Sequence, residues 1–149
     1  MDDQARAPVS LWTIALLALA PFPIAAITYA WGPAILYGTA MEVMLTWSSV
    51  VLAFLGGVRW GLESARPAPR FLRLLGSVLS PVAAWSLWLA RGNLPPALLL
   101  GGFLAAFMLQ WLFDHAAPDV PSRYPRLSTV LTAGACISLA MMLEQAIRM

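Results

Sequence analysis

The chain has 149 residues, 60% of them hydrophobic and 11% charged, with nine arginines, no lysine and a net charge of +2. A soluble domain carries about 25% charged residues, so this composition and a mean hydropathy of +0.76 exclude a water-soluble core. The arginines fall between apolar segments rather than on one basic surface, which argues against nucleic acid as a partner.

In chain order, MDDQARAPVS begins acidic and lacks the basic start of a secretory signal. It also carries the acids that mitochondrial presequences avoid, so an uncleaved first span is expected over residues 11–29. Pro21 and Pro23 lie in its middle. Each removes a backbone donor and crowds the preceding turn, so a kink or break is expected around residues 20–23. Trp31 and Tyr37 suit a membrane interface.

The second span is expected over 41–62, with Glu42 at one boundary and Arg59 and Glu63 near the other. Ser49, Ala53, Gly57 and Gly61 recur at four-residue steps and read as a face for close helix packing. Arg59 lies roughly 200° of rotation from Gly57, so this helix carries a packing face and a charged face. Arg66, Arg70 and Arg73 follow, with Pro67 and Pro69 breaking the helix.

The third span is expected over 71–89, bent at Pro81, with Gly76, Ser80 and Ala84 as its small face. The fourth, over 96–113, opens on proline, where a missing N–H costs least. Gly102, Ala106, Gln110 and Asp114 form a stripe that turns from small to polar, and His115 follows. The fifth span is expected over 127–146 and closes on Glu144 and Arg148 at an i, i+4 spacing. The fold class is thus an all-α bundle of five transmembrane helices, the first and third kinked at proline, making one domain over residues 1–149. Its small-residue contact positions are Ser49, Ala53, Gly57, Gly61, Gly76, Ser80, Gly102 and Ala106.

Orientation follows from the arginines. Arg6, Arg59, Arg66, Arg70, Arg73, Arg123 and Arg126 fall on the N-terminal side, and Arg91 and Arg148 on the other. The expectation is a bacterial inner-membrane protein with its N-terminus cytoplasmic and its C-terminus outside.

Chemistry is sparse. Cys136 is the sole cysteine and His115 the sole histidine, so there is neither an intrachain disulfide nor a metal-ligand spacing, and no cofactor is implied. No GxSxG elbow accompanies the serines, so no catalytic residue emerges. Ionisable residues near membrane depth are candidates by default. Arg59, Glu63, Gln110, Asp114 and His115 form one polar group if the second and fourth helices turn those faces inward. The alternative is an Arg59 that snorkels to the headgroups beside Glu63.

Pro21-Phe22, FLGGVRWGL over residues 54–62, LQWLFD over 109–114, Tyr124 and Leu131-Thr132 together give the chain a resemblance. It resembles the domain-of-unknown-function 3429 family, relatives of transmembrane protein 69. The resemblance implies a multi-helix inner-membrane protein and supplies no catalytic residue. Where that family places further basic residues entering the last helix, this chain has Leu127-Ser128.

The leading expectation is a non-enzymatic accessory, assembly or stabilising subunit, with lipid and other membrane subunits or a second copy as partners. The alternatives are a small transporter or channel, and a quinone or haem binder using Arg59, Glu63, Asp114 and His115.

Overall fold

The computed structural model describes residues 9–65, 67–115 and 123–148. Its helices are α1 Val9–Leu19, α2 Pro21–Trp31, α3 Tyr37–Ser64, α4 Phe71–Leu89, α5 Pro96–His115 and α6 Arg123–Arg148. Short 3-10 turns, Ala34–Leu36 and Ala90–Gly92, lead into and out of the α3–α4 pair. No strand occurs among the described residues. Among the described residues, five helical stretches are long and apolar enough to cross a bilayer: Trp12–Trp31, Ala34–Ser64, Phe71–Gly92, Pro96–Phe113 and Thr129–Arg148.

The first span is interrupted at Ala20, between α1 and α2. Pro21 and Pro23 cannot donate to the carbonyls of Leu17 and Leu19, so the helix breaks where those bonds are lost. A neighbour supports the break: the Trp47 indole N–H on α3 donates to the Ala18 carbonyl at 2.7 Å. Ala18 lies between the two residues whose carbonyls the prolines free, so this bond ties the broken turn to an adjacent helix. Pro81 has a milder outcome, since α4 continues through it.

The second helix begins earlier than the hydropathy pattern implied. The segment expected as a connection before Met41 winds into the 3-10 turn and the first turn of α3. With 28 residues, α3 is about 42 Å long against a hydrocarbon thickness of roughly 30 Å. One or both of its ends therefore reach headgroup depth.

The core sits around α2, which packs against α3 and α6. Phe22 on α2 meets Phe107 on α5 edge to face, centroids 5.9 Å apart, and Met44, Leu52, Leu55, Phe103, Ala135 and Leu139 close around them. Edge-to-face pairs set the negative ring face against the positive edge, adding about 0.5–1.5 kcal/mol beyond burial. A Cβ on Gly134 would run into the Leu19 side chain, where α6 lies against α1. Trp111 Nε1 donates to Thr129 Oγ1 at 3.0 Å and joins α5 to α6.

Helix α4 lies mainly on α3, with a lesser contact to α5. Its outer face carries exposed Phe71, Leu72, Leu79, Val82 and Trp85, which in a bilayer meet acyl chains.

The small-residue faces divide. Gly76 is closed over by the Phe113 ring and Gly102 by Leu87, while Ala106 packs on the core. Ser49 and Ala53 are half-buried, and the Ser49 hydroxyl bonds back to the Leu45 carbonyl at 3.0 Å. Gly57 and Gly61 meet no other helix of this chain: both are exposed, and a Cβ on either would meet nothing within 4 Å. The tight contact belongs to their neighbour Gly56, whose Cβ would stand 2.5 Å from Pro81 Cδ and 2.7 Å from the Ser77 carbonyl oxygen. Within the chain, the face that packs is the one bearing Arg59.

Candidate functional site

The face of α3 that turns inward carries Ser48, Leu52, Leu55, Gly56, Arg59 and Glu63, all buried. Steps of three and four residues place them in one row along the helix. Arg59 therefore follows Gly56 into the contact with α4 and α5, and its side chain is 2% exposed. Its guanidinium carbon stands 5.1 Å from the Phe113 ring centroid on α5. A cation over an aromatic face gains about 2 kcal/mol when desolvated, because the ring quadrupole presents negative charge there. The guanidinium thus lies inside the bundle and does not snorkel.

Glu63, one turn further along α3, is 4% exposed. Its Oε1 accepts the backbone N–H of Arg70 at 2.8 Å. Arg70 is the residue immediately before α4, so the last turn of one helix fastens the start of the next. A carboxylate at a helix N-terminus also complements the positive end of the macrodipole.

Gln110 on α5 is buried, and its Oε1 accepts the Ser80 hydroxyl from α4. Ser77, one turn before Ser80, turns its own hydroxyl to the Leu74 carbonyl at 2.7 Å. In the hydrocarbon such groups must find partners within the protein. The site is therefore a three-helix junction: Arg59 and Glu63 from α3, Ser80 from α4, and Gln110 with Phe113 from α5.

Of the candidate polar residues, Arg59, Glu63 and Gln110 are all buried, Arg59 against Phe113, Glu63 against the Arg70 N–H and Gln110 against Ser80. Asp114 and His115 are the last two residues of α5 and so lie at the same end of the bundle, but their side chains fall outside the described residues. Ser80 is expected from the sequence only as a packing residue, and Phe113, Gly56 and the Arg70 backbone carry no expectation for this site. Gly56 was legible in principle, since it stands three residues before Arg59. Phe113 was not, because nothing local distinguishes one aromatic residue near a helix end from another.

At the opposite end, Glu42 on α3 faces Arg91, which follows α4, with Oε2 and Nε 3.8 Å apart. Arg91 stacks on the Trp88 ring at 3.7 Å and donates from NH1 to the Trp88 carbonyl.

Comparison with known proteins places these features in context. A family model described as "Protein of unknown function (DUF3429)" matches residues 7–144. Transmembrane protein 69 of Xenopus tropicalis is 30% identical over 107 residues, covering 69% of this chain and 42% of that protein. The chain thus aligns with less than half of that relative's length. No solved structure matches the chain.

Proposed function

This chain belongs to the DUF3429 family of proteins of unknown function, and from that premise we propose that it is a non-enzymatic subunit that stabilises or helps assemble a larger membrane complex. The observation that carries this reading is the exposed pair Gly57 and Gly61, with open space where their Cβ atoms would be. In lipid there is no hydrophobic drive between helices, so association relies on close backbone approach over small residues. Phe54 and Trp60, both exposed, border this strip. A partner helix laid along it gains dispersion contacts that mobile acyl chains provide poorly.

The polar junction supports the same reading from the other side. Gln110 is engaged by Ser80, Glu63 by the Arg70 backbone, and Arg59 by Phe113. Those groups serve to hold α3, α4 and α5 together.

The test is co-purification in mild detergent. Gly57→Leu and Gly61→Leu should leave the thermal stability of the isolated protein within about 0.5 kcal/mol of wild type, as surface changes do. The same variants should lose the partner from the pull-down. Retention of the full complex by both variants overturns the proposal, and loss of a self-contact alone identifies the partner as a second copy.

We also place the Arg59 end of the bundle in the cytoplasm of a bacterial cell, on the seven-to-two distribution of arginines. A reporter fused after Arg148 should read as external; a cytoplasmic reading reverses the orientation.

A further inference from the structure

We propose that the cleft around Glu42 and Arg91 is a binding site for a zwitterionic membrane phospholipid, an ammonium-bearing headgroup such as phosphoethanolamine. The cleft measures about 650 Å³ and lies between the first turns of α3, the Arg91 turn and the start of α5. Its walls include Ile35, Met41, Leu45 and Leu99, with Glu42 and Arg91 also lining it. Leu45 and Leu99 are buried in the chain. An apolar floor with a few placed charges is the usual make-up of a small-ligand site, and the volume falls in the range of about 300–1,000 Å³.

The charges select the headgroup. At 3.8 Å the Arg91–Glu42 pair is too long for a hydrogen bond, so each group keeps the capacity for a second partner of opposite sign. Arginine has five N–H donors in a planar fork suited to phosphate oxygens. Here the guanidinium is held flat by the Trp88 ring and the Trp88 carbonyl. A phosphate set on Arg91 brings its ethanolamine ammonium to Glu42, whose side chain is 61% exposed. An anionic headgroup without the ammonium places a phosphate beside the Glu42 carboxylate, and the single Arg91 cation must then offset both. Depth agrees as well: Glu42 lies in the second turn of α3, at the end where Trp31 and Tyr37 stand.

The experiment is lipid retention on the delipidated full-length protein, read by native mass spectrometry after exchange with an equimolar mixture of phosphatidylethanolamine and phosphatidylglycerol. Wild type should retain phosphatidylethanolamine over phosphatidylglycerol by roughly fivefold, the scale of one exposed ion pair. Glu42→Gln should bring the ratio to parity while leaving total lipid bound. Arg91→Gln should reduce both lipids to the level of a control lipid without phosphate. Melting temperatures report whether each variant is folded, and both positions are exposed enough to tolerate the change. A wild-type ratio of one, or an Arg91→Gln protein that keeps its lipid, overturns the proposal.

Discussion

Gly56→Ala is expected to destabilise the protein by about 1–3 kcal/mol, and Gly56→Leu by more, through overpacking at the α3–α4 contact. The reason is what stands opposite. Pro81 has no N–H, so the Ser77 carbonyl four residues earlier loses its usual helical donor. Gly56 brings the α3 backbone against that carbonyl: a Cβ there would lie 2.7 Å from Ser77 O and 2.5 and 3.1 Å from two Pro81 ring carbons. A backbone oxygen cannot rotate away as a side chain can, so the two helices must separate. Glycine on one helix and proline on the other form a matched pair. Unfolding in denaturing detergent measures the effect, with Gly57→Leu as the neighbouring control that should change little. A Gly56→Ala protein as stable as wild type contradicts the packing described.

Arg59→Leu is expected to cost about 3–5 kcal/mol, the scale of breaking a buried ionic arrangement by removing one member. Arginine keeps its proton under all ordinary conditions, and at 2% exposure it must be held by the protein. Its removal leaves Glu63, itself 4% exposed, with one cation fewer nearby. It also empties the space over Phe113. Arg59→Lys should recover only part of the loss, since an ammonium cannot lie flat on the ring as a guanidinium does. The double change Arg59→Leu with Glu63→Leu should be less damaging than the sum of the two, because neither charge is then left behind. Yield and melting temperature in detergent are the readouts. Wild-type stability in Arg59→Leu alone would mean that this end of the bundle tolerates an unmatched carboxylate.

Much of the architecture is local chemistry. The five spans follow from runs of apolar residues set against a bilayer thickness, and the break at Ala20 from two prolines that cannot donate. That Glu42, Arg59 and Glu63 stand near the ends of one helix follows from counting residues. Tertiary structure decided which side of each helix meets protein. Gly56 and Gly57 are adjacent and chemically identical, and the four-residue rhythm from Ser49 pointed to Gly57. Only the placement of Pro81, 25 positions beyond Gly56, selects Gly56. Likewise the indole of Trp47 reaching the Ala18 carbonyl, Leu19 against Gly134, and Phe113 beneath Arg59 all depend on helices distant in sequence.

The physical reason lies in the solvent. In water, the polar face of a helix marks its exposed side, so periodicity along the chain reveals the core. In a bilayer, acyl chains are as apolar as leucine, and the lipid face and the packed face draw on the same residues. Exposed Leu79 on α4 and buried Leu99 on α5 are indistinguishable along the sequence. Hydropathy therefore determines that this chain enters the membrane and which of its described stretches are long and apolar enough to cross it. Shape complementarity, with contacts such as Gly56 on Pro81, Arg59 on Phe113 and Glu63 on the Arg70 N–H, determines how the crossings fit together.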